Sequence, residues 1–124
     1  MKTIIYLLLL AVLFLSCDPM MSISYTIKNN TQQELKIKFN GADSDSVLPV
    51  GINQSIVVRS FDKYGKTKYY DCCLCEVNLS PIDGYISDSS KVLTKNYTEE
   101  NNWILNKKKR KVECIFEVND VDLE

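Results

Sequence analysis

Four cysteines carry most of the reactive chemistry in this chain. Cys72, Cys73 and Cys75 fall within four consecutive positions, and Cys114 stands about 40 residues further on. Four thiolates is the number a structural zinc site takes. Taken as neighbouring positions of one strand, three thiols in four residues point to opposite faces and cannot converge on one ion. The cluster is therefore not read as the two-residue-spaced knuckle of a zinc site, and no metal is expected. Disulfides fit better if the chain is exported. Adjacent Cα atoms are only about 3.8 Å apart, whereas a relaxed disulfide spans roughly 4.4–6.8 Å, so Cys72 and Cys73 are a poor pair. Along a strand, Cys73 and Cys75 share the more apolar face with Tyr69, Val77 and Leu79, and Cys72 shares the other with Tyr70, Glu76 and Asn78. Cys114 also lies on an apolar face, so the expected bond joins Cys114 to Cys73 or Cys75. That bond closes a loop of about 40 residues, worth roughly 4 kcal/mol in the chain-entropy description. The plainer alternative is four reduced thiols filling the core as small apolar side chains.

Other chemistry is sparse. The chain has no histidine, which removes the commonest general base and metal ligand. Asp83 and Asp88 fall in turn contexts, where Asp is favoured by local hydrogen bonding. No acid–base pair of carboxylates stands out. The expectation is no catalytic residue and no cofactor. A thiol-redox or hydrolytic envelope enzyme is the alternative, with the three clustered cysteines as its only candidates; a lowered thiol pKa or a two-residue-spaced pair is not read there. The run Lys107, Lys108, Lys109, Arg110 and Lys111 is the strongest charge feature. Five positives in a row suit an anionic lipid or glycan surface, or a solvated hairpin tip screened by Glu99 and Glu100. Tyr64, Tyr69, Tyr70, Tyr85, Tyr97 and Trp103 suit either a sugar-binding surface or, more ordinarily, the cover of a small β core.

The elements that position these residues read as strands. Ile23, Tyr25 and Ile27 alternate with polar neighbours, as do Leu35, Ile37 and Phe39. The short Asn29-Asn30-Thr31 connection suggests that these two strands form a hairpin. Ser55 to Arg59 is a β-branched run, and Thr67 to Leu79 looks extended. A turn is expected at Ser80–Gly84, with short strands after it at Tyr85–Ser87 and Lys91–Thr94. The polar stretch Asn96–Asn102 suits one helical turn. Trp103–Leu105 and Lys111–Val118 are expected to pair across the basic tip. In the last strand Val112, Cys114, Phe116 and Val118 face one way, and Ile115 alone breaks the polar alternation of the other face, placing it on a second packed surface or an edge. Seven or eight short strands with frequent turns predict an all-β domain, an antiparallel sandwich of Ig-like or related type or a small barrel.

The N-terminus supplies an address. One lysine is followed by Ile4–Leu15, which carry no charge, then by Ser16 and Cys17. This layout resembles a bacterial lipoprotein signal, in which the cysteine thiol is acylated and becomes the new N-terminus. Twelve residues rise only about 18 Å as a helix against a hydrocarbon core of roughly 30 Å, so a permanent span is the weaker reading. The expected organisation is a signal peptide over 1–16, a lipid-anchored tether over 17–21 and one β domain over 22–124. The charges nearly balance, 15 basic against 16 acidic residues, which argues against nucleic acid as a partner.

Further motifs carry a family likeness. They are the lipobox, Ser24-Tyr25-Thr26-Ile27-Lys28-Asn29-Asn30-Thr31, Leu48-Pro49-Val50-Gly51, Asn96-Tyr97, the isolated Trp103 before a basic turn, and a last strand running into Val118-Asn119-Asp120-Val121-Asp122-Leu123. Together they resemble small lipoproteins of unknown function from Bacteroidetes. The resemblance implies a β-sandwich behind a lipid anchor and no known activity, with Cys17 the one functional residue it carries over. Asp45-Ser46-Val47 is similar to the acceptor motif of Bacteroidetes O-glycosylation, which makes Ser46 a candidate site. The expected function is a non-enzymatic binding or structural module on the outer membrane. The membrane is its partner through the lipid, and another envelope protein or a glycan is a further candidate.

Overall fold

The computed structural model describes residues 4–6, 19–39, 47–75, 82–86 and 90–124. It is a small, mostly β domain. Its strands are β1 (Met20–Asn29), β2 (Leu35–Phe39), β3 (Val47–Val50), β4 (Ser55–Tyr64), β5 (Ile82–Ile86), β6 (Trp103–Lys108) and β7 (Lys111–Val118). Short 3-10 turns occupy Thr67–Tyr69, Glu100–Asn102 and Asp120–Asp122.

One sheet has the order β4-β1-β7-β6, the other β3-β2-β5. Among the described residues neither sheet closes on itself, so the barrel alternative falls away. The first sheet is also mixed: β1 runs antiparallel to β4 but parallel to β7, with Ser22 opposite Lys111 and Asn29 opposite Val118. Alternation fixes which side chains face inward; it carries no information on the direction of the neighbouring strand. A parallel neighbour needs a long crossover, and here most of the chain lies between β1 and β7.

The expected hairpin of β1 with β2 does not form. Asn29 is fully buried, and its side-chain amide donates to the carbonyls of Gln33 and Val50, both at 2.8 Å. Its side-chain oxygen accepts from the Thr31 N–H at 2.9 Å and the Thr31 hydroxyl at 2.7 Å. This polar knot turns the chain away from β1 and delivers β2 to the second sheet.

The inward residues of both sheets meet in one core. Ile23, Tyr25 and Ile27 of β1 join Val112, Cys114, Phe116 and Val118 of β7, with Leu35, Ile37 and Val50 from the other sheet. Trp103 closes one side, its ring 5.2 Å from Phe116 and 5.8 Å edge-on from Tyr25, with its indole N–H donated to the Tyr97 carbonyl at 2.7 Å. Such aromatic pairs contribute about 0.5–1.5 kcal/mol beyond the area they bury. Gly84 lies within β5 instead of a turn. A Cβ there would come within 3.1 Å of the Leu93 Cβ; without one, the Leu93 N–H reaches the Gly84 carbonyl at 2.7 Å.

Ile115 lies on the outer face of the four-stranded sheet. The register aligns it with Thr26 and Ile104 on either side, and Thr26 with Val57 beyond. The row crosses a face that also carries serines and ion pairs, among them Lys28 with Glu117 at 3.2 Å.

Candidate functional site

The segment expected to be extended from Thr67 is instead compact. After the Thr67–Tyr69 turn, Cys73–Cys75 form a bend. The four cysteines make two bonds, Cys72 to Cys75 and Cys73 to Cys114, with Cα separations of 5.5 and 5.7 Å. Of the two partners expected for Cys114, the structure uses Cys73. Cys75 turns the other way. The shared face proposed for Cys73 and Cys75 required a strand, and the bend removes it. Cys72 and Cys75 do have the two-residue gap that the strand reading set aside, and a bend brings such a pair together where a strand holds it apart.

The two bonds occupy different environments. Cys73 and Cys114 are both fully buried, while Cys72 is half-buried and Cys75 exposed. Glu100 clamps the bend: its carboxylate accepts the Cys73 N–H at 2.7 Å and the Leu74 N–H at 2.8 Å. The same carboxylate lies 3.4 Å from the Cys72 sulfur, a contact and not a hydrogen bond, because a disulfide sulfur carries no proton. Under the bend, the Tyr25 hydroxyl donates to the Cys73 carbonyl at 2.5 Å and accepts from the Tyr70 hydroxyl at 3.0 Å. Burial, the largest cause, pushes the Tyr25 phenol well above its ordinary value. Tyr25 is therefore a locked core hydroxyl that keeps its proton through the neutral range.

The basic run divides into two groups. Lys107 is paired with Asp71 at 3.0 Å, and Lys108 and Lys111 both reach Glu113, at 3.3 and 2.9 Å. Hydrogen bonds from those two lysines hold the Glu113 carboxyl below its usual range. Lys109 and Arg110 form the β6–β7 turn, with Arg110 in the left-handed region at φ 72°. The expected screening by Glu99 and Glu100 is absent from this end. Glu100 sits beside the start of β6 and the tip at its far end, about 20 Å away for a strand of six residues. Glu99 instead hydrogen-bonds the side chains of Asn96 and Asn102.

The aromatic residues are not one surface. Tyr70 and Trp103 are buried and Tyr97 half-buried in the core, whereas Tyr64 and Tyr69 are exposed. Asp83 belongs to β5 and not to a turn. Cys17, Ser46 and Asp88 lie outside the described residues, as does the side chain of Tyr85. Among the described residues no cluster of His, Cys, Asp and Glu is arranged to hold a metal ion, and no helix is long and apolar enough to cross a membrane.

The Glu100 clamp and the Asp71 and Glu113 ion pairs have no local signature. All but Lys111 with Glu113, two residues apart on β7, join residues that are distant in sequence or set by cross-strand register. The Cys72–Cys75 spacing, by contrast, is visible in the sequence. No protein-family model, curated protein or solved structure matches this chain.

Proposed function

We propose that the chain is a lipid-tethered module of the cell envelope, an outer-membrane lipoprotein anchored through Cys17. Its domain, which begins with β1 at Met20 and not at residue 22, is a small β-sandwich with a binding or structural role and no catalytic centre. The observation that supports this most is the use of the cysteines. All four in the domain are committed to disulfides, one of them wholly inside the core, and such bonds persist in oxidising compartments outside the cytoplasm. The stretch between Cys17 and the domain is shorter than the tether expected over 17–21, since β1 begins at Met20 and Met21 is already buried in the core. The stripe of Val57, Thr26, Ile115 and Ile104 gives the outer face an apolar line for a protein or glycan partner. Fractionation of cells expressing the full chain tests the anchor. Wild type is expected in the membrane fraction and Cys17→Ala in the soluble fraction; identical distribution of the two contradicts it.

The Cys72–Cys75 spacing favours one second reading, a thiol-redox role. The neighbouring Glu100 carboxylate opposes it, because a negative charge disfavours the thiolate that must attack. A thiol pKa for reduced Cys72 below the ordinary value of about 8.5 would support redox chemistry; a higher value leaves this bond as a loop closure.

A further inference from the structure

The chain enters the domain at its basic end. The Pro19 carbonyl accepts the Gly65 N–H at 2.9 Å, and the Ser22 N–H donates to the Arg110 carbonyl at 2.9 Å. β1 therefore starts between the end of β4 and the β6–β7 turn. A surface recess of about 280 Å³ lies there, lined by Pro19, Gly65, Lys66, Thr67, Lys109 and Arg110.

Charge is concentrated at the same end. Segments 62–71 and 107–113 hold eight Lys or Arg against three Asp or Glu, in a chain whose formal net charge is −1. Lys107, Lys108 and Lys111 are taken by Asp71 and Glu113. Lys66, Lys109 and Arg110 are exposed and, among the described residues, have no carboxylate partner. Two exposed aromatics flank them, Tyr64 and Tyr69 at 70% and 71% exposure, and the Lys68 ammonium sits 4.7 Å over the Tyr69 ring.

We propose that this end is a binding site for anionic lipid headgroups, with Lys66, Lys109 and Arg110 around the recess as its cationic contacts. The inference rests on the lipid anchor at Cys17 and adds an orientation to it. Cys17 precedes Pro19 by two residues, a reach of at most about 7 Å. The Debye length at physiological salt is about 8 Å. Pro19 lines the same recess as the three cations, so an acylated Cys17 brings that recess to the headgroup layer. Tyr64 and Tyr69 sit at the depth where aromatic rings with polar tips are favoured at the interface. β1, ten residues long, runs away from the bilayer and places the Lys91 end about 30 Å out.

Lysine footprinting on the full chain, extracted with detergent and reconstituted into vesicles, tests this. One set of vesicles is phosphatidylcholine alone; the other includes phosphatidylglycerol. Acetylation of Lys66 and Lys109 is expected to be about five-fold slower in the anionic vesicles, the equivalent of about 1 kcal/mol per cation at an anionic surface. Lys91 is expected to react equally in both, and high salt or the double substitution Lys66→Glu, Arg110→Glu should abolish the protection of Lys109. Equal rates for Lys109 in the two vesicles, protection of Lys91 in its place, or the same protection from inorganic phosphate without anionic lipid would overturn the proposal. Failure of the anchor itself reads differently, as a chain that does not associate with phosphatidylcholine vesicles at all.

Discussion

The two disulfides should differ sharply in what they contribute to stability. Cys73 and Cys114 are 41 residues apart in sequence. Closing a loop of that length restricts the unfolded chain by an amount worth about 4 kcal/mol at 25 °C. Cys72 and Cys75 are three residues apart, where the same relation gives about 2 kcal/mol at most and a stiff short loop gives less. Burial widens the gap, since removing the Cys73 and Cys114 sulfurs leaves a void in a packed core. The double variant Cys73→Ala, Cys114→Ala is therefore expected to lose about 4–5 kcal/mol, a large part of a domain stability of roughly 5–15 kcal/mol. At about 2.1 cal/mol/K of unfolding entropy per residue, this lowers the melting temperature by about 20 °C. Cys72→Ala, Cys75→Ala should lose no more than about 2 kcal/mol, or about 10 °C. Denaturant unfolding followed by the fluorescence of Trp103, the one tryptophan of the chain, reports both directly. Equal losses, or the larger loss from the Cys72–Cys75 pair, would refute the assignment of Cys73–Cys114 as the core bond.

Three further outcomes follow from the same geometry. Tyr25→Phe leaves the Cys73 carbonyl without its donor and should cost about 1–2 kcal/mol in chemical denaturation. Because the folded state raises the Tyr25 pKa, its contribution is complete below the ordinary tyrosine pKa of about 10 and is lost as pH rises above it; an alkaline stability profile should flatten in Tyr25→Phe, and an unchanged profile would speak against the buried phenol. Asn29→Ala strands the Val50 and Gln33 carbonyls and the Thr31 N–H and should cost about 2–4 kcal/mol, whereas Gln32→Ala, next to the knot but exposed, should fall within about 0.5 kcal/mol of wild type. Limited reduction followed by alkylation and peptide mapping should label Cys72 and Cys75 before Cys73 and Cys114, since the first pair is open to a thiol reductant and the second is buried; simultaneous labelling would mean that the bend opens as one unit with the core.

Period-two alternation made the strands legible. Ile23, Tyr25 and Ile27, and likewise Val112, Cys114, Phe116 and Val118, are apolar where they face the core, and all seven are buried. Strand neighbours were not legible. The parallel β1–β7 pair and the separation of β2 from β1 depend on contacts between distant segments and on one buried asparagine, and alternation is blind to both. Ile115 was expected on a second packed surface or an edge; β7 lies between β1 and β6 and is no edge, and Ile115 takes a place on the outer face of the sheet in register with Thr26 and Ile104. The cystine bend was hidden by its own composition. Tyr69, Tyr70, Leu74 and Val77 look like strand residues, but the Cys72–Cys75 bond holds its Cα atoms 5.5 Å apart, where three residues of strand would span about 10 Å, so the backbone has to turn. Glu100 could not be assigned from the sequence, since its role is to satisfy two backbone N–H groups of a bend 26 and 27 residues earlier.

The most direct measurement is the intact mass of the protein extracted from membranes with detergent. The account predicts a chain beginning at Cys17, heavier than its peptide mass by the acyl and glyceryl groups and lighter by four protons for two disulfides, with the Cys17→Ala chain lacking the lipid increment. A chain with Cys17 unmodified, or one whose domain cysteines all react with alkylating reagent before reduction, would contradict it.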